Sequence, residues 1–267
     1  MLRMIALLPM TLFFTACAPP QQAIEISFEP QYNGASISCA NKASSMALTD
    51  LRFYVHDITL VGAAGTIFPV KLSPDQIWQS GSVALLDFED GEGACVNGSQ
   101  QTNRKIRGYY LATDENLDGL SFRVGVPPAL NHDDPLMADA PLNYASMHWH
   151  WASGYKFLSA GVTTETDGYW VHLGSSRCAG TIGNIEGCKS SNQPEARLTN
   201  FDPNTHSVSV DLGRLFAAVD FDDGVATDCS SGPLETTCTA PFEALGLDVT
   251  DGSTSGMASI FGVGRKL

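Results

Sequence analysis

Residues 147–151 hold the densest chemistry in the chain. Met147-His148-Trp149-His150-Trp151 contains two of the six His and two of the four Trp. Read as part of one extended run from Met147 to Leu158, its side chains alternate between two faces. Met147, Trp149 and Trp151 share one face, His148 and His150 the other. On the first face, a thioether beside an indole makes a wall suited to Cu(I), because soft donors favour the soft ion. On the second, His-x-His clips a metal from a single strand. His172, in the apolar run Val171-His172-Leu173, would complete a three-His zinc site with an open position. The plain alternative packs the aromatic face in the core and turns the histidines to solvent. His132 follows Asn131 in a long loop and is backed by Asp133 and Asp134. Neighbouring carboxylates of this kind orient a ligating imidazole.

Other motifs are weaker. Asp114-Glu115-Asn116-Leu117-Asp118-Gly119 matches the front of a calcium loop, but position twelve falls on Gly125 rather than a bidentate Glu. It reads as an Asp/Asn turn between strands, and calcium at Asp114, Asn116 and Asp118 is not expected. There is no G-x-S-x-G, H-E-x-x-H or Walker loop, and Gly262 and Gly264 leave no room for a nucleotide-binding helix after them. No catalytic residue is marked, and the protein is expected not to be an enzyme.

The elements that must position these residues are short β-rich runs punctuated by Gly, Asn, Asp and Pro. Strands are expected at Ile24–Phe28, Leu51–Val61, Ser82–Phe88, Arg104–Leu111, Leu120–Val126, Met147–Leu158, Tyr169–Leu173 and Val208–Asp211. Asp211 is placed to cap a short helix carrying Leu212, Leu215, Phe216 and Val219, and Thr239 a second one that Gly246 stops. The longest loop runs from Pro127 to Tyr144; a loop of that size is usually functional. The expected class is all-β: a single sandwich or barrel-like domain over residues 24–267, with long loops, a few short helices and disulfides.

The chain has 267 residues, with 15 Lys+Arg against 29 Asp+Glu, a formal net charge of −14. That balance argues against nucleic acid, whose phosphates need Lys and Arg to displace counterions. Arg3 followed by the apolar run Met4–Phe14 reads as a signal peptide over residues 1–16. Phe14-Thr15-Ala16-Cys17 resembles a bacterial lipobox. Cys17 would then be lipidated, residues 17–23 would form a tether, and membrane contact would run only through that lipid. The protein is expected to be exported, to the periplasm or as an outer-membrane-anchored lipoprotein. Six cysteines remain, an even number that in an exported protein implies disulfides. Sequence alone does not choose among their connectivities. Local closure favours Cys178–Cys188 and Cys229–Cys238, which leaves Cys39–Cys95.

In order and spacing, several segments resemble the MbnP family of exported, copper-linked proteins, also known as metallo-mystery pair four-cysteine-motif proteins. They are Leu51-Arg52-Phe53-Tyr54-Val55, Val83–Phe88 running on to Cys95, Leu130-Asn131-His132, Met147-x-Trp149-x-Trp151 with Gly154-Tyr155-Lys156-Phe157, and His172-Leu173-Gly174-Ser175 with Cys178. The resemblance implies a di-haem partner of the cytochrome c peroxidase/MauG type that oxidises Trp149 to kynurenine, after which the protein binds copper as Cu(I). Indole offers a metal no lone pair, whereas ring opening yields an aryl amine and a ketone. The implied ligands are modified Trp149, His132 and His172, with Met147 as a soft candidate and His148 and His150 as additions. The implied role is copper homeostasis. Two rivals stand beside it: a zinc enzyme of the hydrolase or hydratase type using His148, His150 and His172, and a metal-free surface adhesion or assembly module.

Overall fold

The computed structural model describes residues 20–219, 221, 228–231 and 235–266. The expected signal peptide, Cys17 and the start of the tether lie outside them. The strands are β1 (Gln21–Tyr32), β2 (Ala35–Ser36), β3 (Ala47–Gly62), β4 (Ile67–Pro69), β5 (Lys71–Leu72), β6 (Val83–Asp87), β7 (Lys105–Leu111) and β8 (Leu117–Val124). They continue as β9 (His148–His150), β10 (Gly154–Thr163), β11 (Gly168–Gly174), β12 (Ser176–Thr181), β13 (Asn184–Ser190), β14 (Glu195–Thr199), β15 (His206–Asp211) and β16 (Phe261–Arg265). Two short helices, α1 (Leu212–Leu215) and α2 (Thr239–Ala244), complete the set.

One sheet runs β16-β15-β1-β7-β5, with β2 on β1. Within it β1 and β15 are parallel, with Phe28 opposite Val208. The second sheet runs β11-β10-β3-β8-β14, with β4 and β6 on β3 and β9 on β10. β12 and β13 form a separate hairpin. β3 is the hub of the second sheet. Arg52 and Phe53 pair with both β10 and β6, and Val55 and His56 with both β6 and β8, so these residues are bonded on both edges. The inner faces meet in an aromatic cluster. Phe28 and Phe261 come from the first sheet, Phe53 and Phe122 from the second, with ring centroids 5.0 to 5.9 Å apart. Such pairs add about 0.5–1.5 kcal/mol each beyond the area they bury. This is the all-β sandwich that the alternating runs imply.

The expected strands are present, with one exception that matters for the site. The run Met147–Leu158 is not a single strand. Ala145–Met147 is a 3₁₀ turn, β9 has only three residues, and the chain reverses at Trp151–Ser153 into β10. Gly154 makes the reversal possible. Its φ is +75°, and a Cβ there would strike the main-chain oxygen of Asn131. The chain also enters β1 at Gln21, so that the last three residues of the expected tether belong to the strand, because Gln21, Gln22 and Ala23 pair with Leu111, Tyr110 and Tyr109.

Asp211 caps α1 as expected, accepting the Gly213 N–H. Thr239 does not cap α2. A 3₁₀ turn at Thr236–Cys238 feeds straight into the helix, so the residue before it is already helical in φ and ψ and no side chain caps the end. Gly246 does stop it. At φ +68° it lets Leu247 N–H reach the Phe242 carbonyl. Gly262 and Gly264 lie within β16, opposite Ser209 and Ser207. Asp114 to Asn116 lead into β8, which already contains Asp118, and the Glu115 carboxylate accepts the Ala64 N–H. All three expected disulfides are present.

Candidate metal centre

β9 and β11 bring Trp149 and His172 together. Both are half-buried, and their rings meet edge to face with centroids 6.0 Å apart at 80°. Gly174, two residues beyond His172, leaves room for the indole; a Cβ there would lie 3.2 Å from it. Burial, and then the Lys156 ammonium, lower the His172 pKa, so at neutral pH the imidazole is uncharged and its lone pair free to ligate. The backbone on either side is fixed. His172 N–H donates to the Cys229 carbonyl, and the His172 carbonyl accepts from Ser231 Oγ.

A buried ionic network lies on the same side of this sheet. His172 pairs with Ser159 across β11–β10, and Ser159 pairs with Arg52 across β10–β3. Ser159 Oγ donates to Asp50 Oδ2 at 2.6 Å. Arg52 binds both oxygens of Asp50 and reaches Glu89 Oε2 at 2.9 Å. It also donates to Ser146 Oγ, just before the Met147 turn, and Lys156 Nζ donates to the Ser146 carbonyl. Burial raises the Asp87 carboxyl to about 6 and the Glu89 carboxyl to about 8, the latter aided by Asp50 and opposed by Arg52. Sequence reasoning missed this network. Its signal was a pair of opposite charges, Asp50 and Arg52, flanking Leu51 at the start of a mostly buried strand.

The loop over residues 127–144 is tied down at several points. Tyr54 Oη donates to the Pro141 carbonyl, and Tyr155 Oη to that of Leu142. Asn131 is buried. Its Oδ1 accepts the Tyr155 N–H, and its Nδ2 donates to Ser175 Oγ at 2.8 Å and faces His132 Nε2 at 3.3 Å. His132 Nδ1 lies 3.2 Å from the Trp151 carbonyl, which only accepts, so Nδ1 carries the proton. Nε2 points at Cys188 Sγ, 3.5 Å away.

The expected ligands therefore divide. Trp149 and His172 are joined. His132 is turned toward the β12–β13 hairpin. Met147 is fully buried in the hydrophobic core within the 3₁₀ turn, so the shared strand face expected for it and Trp149 does not form. His148 is half-buried edge-on to Tyr155 at 5.1 Å, with burial lowering its pKa, and His150 is exposed beside Trp151. The zinc triad of His148, His150 and His172 does not converge. Among the described residues, the group of three His, Cys, Asp or Glu ligand atoms within 4.8 Å of one another is His132, Cys178 and Cys188.

The sequence profile of the MbnP family matches residues 21–231. The chain belongs to the MbnP family. Among solved structures, MbnP from Methylosinus trichosporium is 30% identical, superposes with a TM-score of 0.81, and is covered over 100% of its length by 93% of this chain. No curated protein sequence matches significantly. The matched MbnP region contains Trp149, His172, His132 and all three disulfides except Cys238. The described residues contain no helix long and apolar enough to cross a membrane.

Proposed function

We propose that this MbnP-family protein is an exported copper-binding protein of copper homeostasis, matured by oxidation of Trp149 to kynurenine. The observation that carries the reading is the contact of half-buried Trp149 with an uncharged His172. The donor set fits copper conditionally. Intact indole contributes nothing to a metal, but its opened form presents an aryl amine and a ketone beside an imidazole suited to Cu(I). Of the motif's two histidines, His148 is the less exposed and is the further candidate for the set. His132 serves this centre less well, because its unprotonated nitrogen faces the Asn131 amide and Cys188.

In the maturation step the indole C2–C3 bond breaks, two oxygen atoms are added from two waters, and four electrons and four protons leave. Hydrolysis then releases C2 as formate. A di-haem partner of the cytochrome c peroxidase/MauG class takes the electrons. The protein is that partner's substrate, not itself an enzyme. Cys17 carries the lipid that holds it at the membrane in the periplasm.

Peptide mass mapping across residues 147–151, on protein from its native host, tests the reading. A kynurenine mass at Trp149, with copper that is lost in Trp149→Phe and kept in Met147→Leu, is the expected result. Intact Trp149 in a host expressing the haem partner would overturn it.

A further inference from the structure

The β12–β13 hairpin has no part in the Trp149 centre, yet its disulfide faces a histidine. We propose that reduction of the Cys178–Cys188 disulfide opens a second soft-metal site, in which the two cysteine sulfurs and His132 Nε2 hold one Cu(I). This goes beyond the reading of Trp149 and does not depend on it.

Three observations support the site. The first is the state of the imidazole. The Trp151 carbonyl fixes the proton on Nδ1, so the lone pair lies on Nε2, between the Asn131 amide at 3.3 Å and Cys188 Sγ at 3.5 Å, and the Asn131 amide keeps Ser175 Oγ as an acceptor when that lone pair turns to a metal. A carbonyl behind the ring is the usual way in which a ligating histidine is oriented. The second is that the thiols would stay in place. Cys178 and Cys188 are directly opposed across β12–β13, with Ser176 opposite Ser190 and Ala179 opposite Gly187 on either side. Breaking the S–S bond leaves this register, and the Arg177 side chain still binds Ser190 Oγ and the Thr250 carbonyl. The third is access. Cys178 and Cys188 are half-buried, whereas Cys39, Cys95, Cys229 and Cys238 are buried. A cavity of about 480 Å³, lined by Asn131, His132, Ser175, Glu186 and Cys188 among others, opens onto the sulfur.

The reductant is a small dithiol. One of its thiolates attacks a cysteine sulfur and its second thiol resolves the mixed disulfide. The Cys178–Cys188 bond breaks, a disulfide forms in the reductant, and two electrons and two protons pass to the protein. Cu(I) then displaces the two thiol protons. Two thiolates and one imidazole are a soft three-donor set that Cu(I) accepts as it stands, whereas Zn(II) calls for a fourth ligand.

The test uses the full mature chain carrying Trp149→Phe, which cannot form kynurenine, so that failure of this site and failure of the Trp149 centre are read separately. If that variant does not fold, unmodified wild-type chain from a host without the haem partner replaces it. The protein is treated anaerobically with a small dithiol, and alkylation with mass mapping shows which cysteines are free. Cu(I) is then titrated against a Cu(I)-specific chelator, and bound copper is counted by native mass spectrometry. The expected result is alkylation confined to Cys178 and Cys188, with one Cu(I) bound after reduction and none before. Binding should weaken by about tenfold or more in His132→Gln and vanish in the Cys178→Ser, Cys188→Ser double variant. The proposal is overturned if the disulfide resists the dithiol, if both thiols are free and no Cu(I) binds, if His132→Gln binds equally well, or if Zn(II) displaces Cu(I).

Discussion

At the scale of single residues, the ionic network beneath the Trp149–His172 pair gives the protein a particular dependence on pH. Glu89 is buried, and Asp50 crowds it while Arg52 holds it. Its folded pKa of about 8 lies well above the ordinary carboxylate value, as does that of Asp87 at about 6. Between the unfolded value and these folded values, the folded chain keeps protons that the unfolded chain has released. Stability contributed by the two carboxyls is therefore present in full at low pH and is lost as pH rises through about 6 and then about 8. The slope cannot exceed about 1.4 kcal/mol per pH unit for each group. Chemical denaturation across this window should show the wild-type midpoint falling most steeply below about pH 6, where both groups hold protons that the unfolded chain has lost, and more gently from there to about 8, where only Glu89 does. Glu89→Gln, which stays neutral, should flatten that upper part. Parallel curves for the two proteins would remove Glu89 as the source.

At the scale of elements, the site depends on one reversal, between β9 and β10. Gly154 occupies left-handed backbone space against the Asn131 carbonyl, and Asn131 in turn fixes the Tyr155 N–H and the position of His132. Gly154→Ala adds a methyl where no space exists and strains φ as well. It should lower stability by about 1–3 kcal/mol. It should also weaken copper binding, because β9 carries Trp149. A denaturant midpoint within error of wild type would show that the loop yields freely. This reversal also marks where the sequence stopped being legible. β1, β3, β6, β7 and β11 were readable because their side chains alternate or run continuously apolar, as in β7, where Ile106, Gly108 and Tyr110 are buried. Met147–Leu158 has the same β-rich composition throughout, and nothing local says that Gly154 turns the chain. β12 and β13 were invisible for a different reason. Most of their residues are exposed or half-buried, so no hydrophobic period exists, and strand pairing and the disulfide hold them instead. β16, which contains Gly262 and Gly264, gave little strand signal of its own and is specified by its neighbour β15. Of the candidate site, the motif around Trp149 and the isolated His172 were legible one by one. Their contact was not, because it depends on a register between strands far apart in sequence.

At the scale of the whole molecule, the three disulfides have unequal duties. Cys39–Cys95 joins residues 56 apart, linking the segment before β3 to the segment after β6, and both sulfurs are buried beside the core. It closes the region around the hub strand of the second sheet. Cys178–Cys188 spans only 10 residues, within one exposed hairpin. In the loop-entropy account the first stabilises by about 4 kcal/mol and the second by about 2.5–3 kcal/mol. The difference in what each restrains should exceed that difference in free energy. Loss of the first frees chain on both sides of β3, whose strand also pairs with β10 and so supports the Trp149 hairpin. Loss of the second frees a hairpin that forms no part of either sheet. Replacing Cys39 and Cys95 together by Ala should lower the thermal midpoint markedly and weaken copper binding at the Trp149 centre. The same replacement of Cys178 and Cys188 should cost less stability and leave that centre intact. Equal losses of copper in the two variants, measured at a temperature where both remain folded, would mean that the hairpin supports the Trp149 centre directly.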